Sequence, residues 1–360
     1  MSTVSDPYVL DYQELHGDTA IELRRLGLPE EVVEQWSMFK APLRLTVVLA
    51  LRGQAPAAAL LCVRRRLGQY VKLVGSWSDP EQGAAAELQG ELLERLKQEA
   101  WERGAVVIKE QLAPVAVAAA GGDQVSVPEM AGGALQEPSE IPAASFQWRT
   151  SRQPTTVPYV RQTSDFTCGP SCLMMALAHF GLIERPERET EFALWREATM
   201  VEACDPYGLA LTGAAHGLDV ELTVTTERLL LLEEFEHERE RDVRRFLQGQ
   251  FRERIASSGV STRIAAFGAE EVRAILAAGR LAIILIDEQP FDQGSCPHWI
   301  VVHGLAEQSF LIHDPWTQND DGESWLDGYD LPLSAASLEQ LAAYGDPAYS
   351  ALLSVGLPQA

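Results

Sequence analysis

Cysteine is scarce in this 360-residue sequence: there are five, an odd number without regular spacing. That excludes a disulfide framework and fits a reducing compartment, where a thiol stays available. Long apolar runs are missing too. Nothing approaches the roughly 18 consecutive apolar residues of a membrane span. The N-terminus, MSTVSDPYVLDYQELHGD, has neither a basic n-region nor an apolar h-region. The expected location is the cytoplasm. Positive charge is also short, with 29 Lys+Arg against 52 Asp+Glu and a formal net charge of −23. Nucleic acid and anionic membrane both require a basic footprint, so neither is expected as a partner. The acidic excess either serves solubility or draws a basic peptide or protein. Internal repeats are absent.

What is present reads as two domains of an α+β protein. The stretch from residue 8 to 39 is expected to be helical, its second half opening on Pro29 with acidic residues in the first turn. LRLTVVLALRG, AAALLCVRRR and QYVKLVGSW follow as three strands. Between Asp79 and Arg103 a helix is expected, because Leu88, Leu92, Leu93, Leu96 and Ala100 fall on one face. AVVIKEQL returns as a strand.

This order of helices, three strands, helix and strand resembles part of the GNAT acyltransferase fold over about 70 residues. The resemblance implies an acetyl-CoA cradle at the start of the long helix. That place reads WSDPEQGAAAEL, with Asp79, Glu81, a single glycine (Gly83) and no arginine. Carboxylates there repel a pyrophosphate. The expectation is a degenerate GNAT-like domain over 1–120 that positions its neighbour and binds no cofactor. Residues 121–150, rich in Ala, Gly, Pro and Ser, are expected to be a linker.

The second domain, 151–360, opens on VPYVRQTSDFTCGPSCLMMALAHFG. Proline is favoured in the first turn of a helix, so Pro170 sets Cys168 at or just before a helix N-terminus. Free N–H groups and the helix dipole both favour a thiolate at that place, and the thiolate is the nucleophile. Downstream, 184–200 and 227–256 are expected to be helical and LAIILI a buried strand. HWIVVHGL and SFLIHDPW form a strand pair around a short turn. A cysteine nucleophile needs a base, a group to orient the base and donors for the oxyanion. A turn centred near Ala306 puts His298 opposite Asp314, with Cβ atoms about 4.5–5.5 Å apart. Asp314 then holds one imidazole nitrogen and leaves the other for Cys168. A one-residue slip would break that pairing. Gln162 has an amide able to donate to an oxyanion, although such a residue is ordinarily a surface-loop glutamine.

Residues 157–181 and 298–316 resemble the bacteriocin-processing, double-glycine-type peptidases, a branch of the papain-like cysteine peptidases. The likeness rests on Gln162, CGPSCLMMALAHFG from Cys168, HWIVVHG and DPW. It implies a papain-like fold, with a helix packed on an antiparallel sheet. It also implies Cys168 as nucleophile, His298 as base, Asp314 as its orienter and Gln162 in the oxyanion hole. The family's membrane transporter part has no counterpart in this sequence, so cleavage after a double glycine is not implied. The resulting expectation is hydrolysis of a peptide or amide bond through an acyl-enzyme. Acyl or peptidyl transfer by the same triad, and a non-catalytic peptide-binding scaffold, are the alternatives. Cys172 reads as a buried small hydrophobe and Cys296 as a loop cysteine. His179 and His216 read as structural, and Trp299 and Trp316 as packing beside the triad. His303 and His313 share the strand pair, but without a clustered carboxylate or CxxC partner no metal is expected.

Overall fold

The computed structural model describes residues 8–81, 85–111, 123–125, 144–151, 156–199 and 201–358. The chain divides into two compact units. The first comprises 1–126, 142–152 and 318–327; the second comprises 127–141, 153–317 and 328–360.

The first unit is built on a seven-stranded sheet. In chain order its elements are β1 (Val9–Leu15), α1 (Thr19–Arg25), α2 (Glu30–Trp36), β2 (Arg44–Arg52), β3 (Ala55–Arg64), β4 (Tyr70–Ser78), α3 (Ala85–Glu102), β5 (Val107–Gln111), β6 (Asp123–Val125) and β7 (Ala144–Trp148). The strand order is β1-β2-β3-β4-β5-β7-β6. Only β4 and β5 pair in parallel, and α3 provides the crossover that a parallel pair requires. The period of two sends alternate residues to opposite faces. Val48, Ala50, Leu60 and Cys62 join Leu88, Leu92, Leu96 and Ala100 of α3 in one core. Val47, Leu49, Leu61 and Val63 join Leu23, Val32, Val33 and Trp36 of α1 and α2 in another.

This is the expected GNAT-like order, with two corrections. Val9–Leu15 is an edge strand paired with β2, not helix; Val9 and Tyr12 within it favour strand. Ala144–Trp148 is a strand paired with β5, so the last residues of the expected linker belong to the sheet. Most of that linker, and Gly83 of the expected cradle, lie outside the described residues.

Residues 318–327, expected within the catalytic domain, are part of the first unit. Burial without partners would be costly for Arg65, which follows β3, for Lys72 of β4 and for Lys109 of β5. Arg65 forms a two-pronged pair with Glu323 at 2.7 Å on both contacts, and Lys72 pairs with Asp327. Tyr70 Oη donates to Asp327 Oδ1 at 2.7 Å, and Lys109 Nζ donates to the Leu326 carbonyl at 2.6 Å.

The second unit contains α4 (Cys168–His179), α5 (Arg188–Ala198), α6 (Pro206–Ala215), β8 (Asp219–Val224), α7 (Glu238–Ile255), β9 (Ser261–Ile264), α8 (Ala269–Ala277), β10 (Leu281–Asp287), β11 (Pro297–Ala306) and β12 (Ser309–His313). After the return of 318–327 to the first unit, which takes in most of α9 (Trp325–Gly328), the second unit continues with β13 (Leu331–Leu333), α10 (Ala335–Leu341) and β14 (Ala351–Gly356). The sheet order is β13-β12-β11-β10-β14-β8-β9, antiparallel except for β8 with β9. The helix α4 is buried along ten of its residues and packs with Ile283, Leu285, Trp299, Val301 and Leu353. A helix on an antiparallel sheet is the expected α+β arrangement. The charged helix starts at Glu238, later than the expected 227. The C-terminal ALLSVG is an interior strand between β10 and β8. No helix among the described residues is long and apolar enough to cross a membrane.

Candidate active site

Cys168 is the first residue of α4, with Gly169 and Pro170 in the first turn as the sequence predicts. Three contacts fix this end of the helix. Cys172, one turn on, directs Sγ to the Trp299 carbonyl at 3.2 Å. The Trp299 indole N–H donates to the Cys204 carbonyl at 3.2 Å. Cys204 in turn packs on Gly169, where an added Cβ would stand 3.0 Å from its Cβ. The ring of contacts ties the helix start to β11 immediately beside His298.

His298 is 4% exposed, and the Cys168 side chain is among the groups that raise its basicity. Its Nε2 lies 2.8 Å from Asp314 Oδ1. Burial alone would lower the basicity of this imidazole. The carboxylates of Asp314 and Glu288 more than offset that and hold His298 well above its ordinary value of 6.5. Asp314 is oriented in its own right: Oδ1 accepts the Trp316 N–H at 2.9 Å, and its N–H donates to the Gly328 carbonyl at 2.9 Å. The Tyr159 hydroxyl donates to the Asp314 carbonyl at 2.8 Å.

The pairing that brings these two residues together differs from the expected one. The strand pair turns at 307–308, not near Ala306, so Ala306 faces Ser309 and Leu305 faces Phe310. Continued without interruption, that register would set Asp314 against Val301, on the other face from His298. A bulge between Val302 and Gly304 takes up one residue, His303, and the register resumes with Val301 facing His313. Asp314 is next in line, level with Ile300. Ile300 shares a face with His298, so the contact is diagonal, within reach of an imidazole and a carboxylate.

Gln162 is 5% exposed. Its N–H donates to the Pro315 carbonyl at 3.0 Å, which joins its segment to the one carrying Asp314. The side-chain Nε2 donates to the Ser164 carbonyl at 2.9 Å. That leaves the second amide hydrogen for another acceptor, while the buried Oε1 makes no hydrogen bond among the described residues.

Two acidic residues at the site escaped the sequence reading. Asp287 ends β10 and shapes the loop to β11 by accepting from the Gln289 N–H, the Cys296 N–H and the Ser295 hydroxyl. Glu288 follows it, with a carboxylate oxygen 3.9 Å from His298 Nδ1. The signal was available in LAIILIDE: pairing that strand with HWIVV sets Ile286 opposite His298 and brings the two acids to the imidazole's end of the sheet. Burial also acts on the other four thiols. Burial pushes Cys62, Cys172 and Cys204 up, and burial with Glu288 pushes Cys296 up to about 12. His303 and His313 lie with Asp330, and His216 pairs with Glu197. His179 bonds the Thr156 hydroxyl.

Residues 157–356 match the model of the Peptidase_C39-like family. No curated protein matches the chain. Among solved structures, a protein from Bacillus anthracis assigned to the C39-like peptidases aligns at 14% identity and TM-score 0.28, covering 56% of this chain and 96% of its own. An acetyltransferase of the GNAT family from Staphylococcus aureus aligns at 10% identity and TM-score 0.25, covering 39% of this chain and 100% of its own. The ribosomal-protein-S18-alanine N-acetyltransferase from Escherichia coli aligns at 13% identity and TM-score 0.26, covering 38% and 91%.

Proposed function

The chain belongs to the Peptidase_C39-like family, and from that premise we propose that it cleaves a peptide or amide bond through an acyl-enzyme on Cys168. The observation that carries this reading is the linked set at the start of α4. Cys168 begins the helix and acts on the His298 imidazole, whose Nε2 is held 2.8 Å from Asp314. A basic imidazole beside the thiol supplies the general base that a cysteine nucleophile needs.

In this reading the Cys168 thiolate adds to the substrate carbonyl carbon. The carbonyl electron pair moves to oxygen, where the Cys168 backbone N–H and the Gln162 amide donate to it. The C–N bond then breaks, and His298 gives its proton to the leaving amine, which departs and leaves a thioester. Water attacks the thioester while His298 takes its proton, and the carboxylic acid leaves as the thiol reforms. Asp314 keeps the imidazole oriented throughout, without itself accepting the proton.

Glu288 beside His298, Glu234 within electrostatic range of Cys296, and the net charge of −23 favour a cationic substrate segment. The test is a peptide library read by mass spectrometry. Peptides with Lys or Arg near the cut are expected to be cleaved, more slowly as salt rises, and Cys168→Ala is expected to be inert. Gln162→Ala is expected to lose about 10²–10³ in kcat. Cleavage that survives in Cys168→Ala would overturn the reading. Added amines identify the acceptor, because aminolysis yields a product of different mass from hydrolysis.

A further inference from the structure

The bulge that sets the triad register has a second consequence. Its extra residue, His303, comes to the same face as His313 on the neighbouring strand, and the two rings lie 4.1 Å apart by centroid. The loop leading into β13 adds the carboxylate of Asp330. His303 Nε2 is 3.1 Å from Asp330 Oδ1, and His313 Nδ1 is 4.0 Å from the same oxygen. All three donor atoms lie within 4.8 Å of one another, and all three side chains are about 1% exposed or less.

We propose that His303, His313 and Asp330 form a binding site for a divalent cation of the zinc type. Two imidazoles and one carboxylate are donors that suit Zn²⁺. With Zn–N and Zn–O near 2.0–2.2 Å, donors on a tetrahedron stand about 3.3–3.5 Å apart. The two separations to Asp330 bracket that value, so the site closes on an ion with shifts of up to about an ångström. The outer contacts are those of a ligating imidazole. His313 Nε2 donates to the Val157 carbonyl at 3.0 Å, which turns Nδ1 inward as the ligand atom. Tyr329 stacks on the ring at 5.0 Å and 26°, and Tyr159 meets its edge at 5.5 Å. The Asp330 N–H now donates to His313 Nδ1 at 3.2 Å, a long bond that the ion replaces. A water fills the fourth position. An ion here clamps the bulge on β11 and fixes His313, the residue directly before Asp314.

The experiment uses the full chain with Cys168→Ala, so that the catalytic thiol takes no metal. The probes are Zn²⁺ alone, followed by calorimetry, and Co²⁺ alone, followed by visible absorption. One Zn²⁺ per chain is expected, with a rise in melting temperature. Co²⁺ should give ligand-field bands without the near-ultraviolet charge-transfer band of a thiolate. Adding Asp330→Asn or His303→Gln should abolish both. X-ray absorption of the Zn²⁺-loaded protein should show nitrogen and oxygen scatterers without sulfur, and it tests the site even if those variants fail to fold. Absence of bound Zn²⁺, unchanged stoichiometry in a folded variant, or sulfur in the shell would overturn the proposal.

Discussion

His298 carries the most information of any single side chain in the molecule. Burial disfavours its charged form, and the carboxylates of Asp314 and Glu288 reverse that preference. Its folded value lies above the unfolded 6.5, so its contribution to stability is fully present below the unfolded value. That contribution is lost as pH rises through the higher folded value. Thermal melts of wild type and Asp314→Asn between about pH 5.5 and pH 9 should therefore differ most at the acid end, with the gap narrowing as pH rises. A gap that widened with pH would contradict the assignment. Cys168 at the start of a helix and His298 beside Asp314 were legible in the sequence, because Pro170 marks the helix start and the strand pair carries the other two. Glu288 was not, since nothing in DEQPFDQGSCP fixes which acid faces the imidazole until Asp287 closes the loop. Asp330 was hidden for a related reason: the carboxylate that His303 and His313 appeared to lack is supplied across 17 residues from His313.

At the scale of elements, long periodic segments read correctly. The face of α3 is the expected one, with Leu88, Leu92, Leu96 and Ala100 buried. Elements with a short or mixed signal did not read. β1 lies at a sheet edge, and β14 is a run of only six residues set between β10 and β8. The register of β11 with β12 was the least legible feature, because a single-residue bulge leaves no periodic trace. Helix packing has one feature that the sequence conceals and the structure makes testable. α5 and α6 approach so closely that a Cβ at Gly208 would stand 1.9 Å from the Ala198 carbonyl oxygen. Backbone cannot yield as a flexible side chain can, so Gly208→Ala should lower unfolding stability by about 3 kcal/mol, read by urea denaturation. An unchanged midpoint would contradict this packing.

For the molecule as a whole, the two-part organisation was legible from composition, while its boundaries were not. The chain returns to the first unit at 318–327, a decision made by charge rather than by apolar pattern. Lys72 and Arg65 are buried and need the carboxylates of Asp327 and Glu323. Burial would raise Asp327, but Lys72 and Arg65 lower it overall. Its stabilising contribution is present above the unfolded 3.8 and lost as pH falls through the depressed folded value. Asp327→Ala leaves Lys72 buried without this counter-charge and should cost about 3–5 kcal/mol in denaturant unfolding at neutral pH. A cost below about 1 kcal/mol, the scale of an exposed ion pair, would contradict a buried one.

The central claim is that Cys168 and His298 act as one unit. The most direct measurement is the pH dependence of Cys168 alkylation by a small electrophile, site-resolved by mass spectrometry in the full chain, with Cys204 and Cys296 as internal references. Cys168 is expected to react well below pH 8, far ahead of both references, and to slow by about 10²-fold or more in His298→Ala. Asp314→Asn should slow it less. A Cys168 that reacts no faster than Cys296, or at a rate indifferent to His298, would contradict the account.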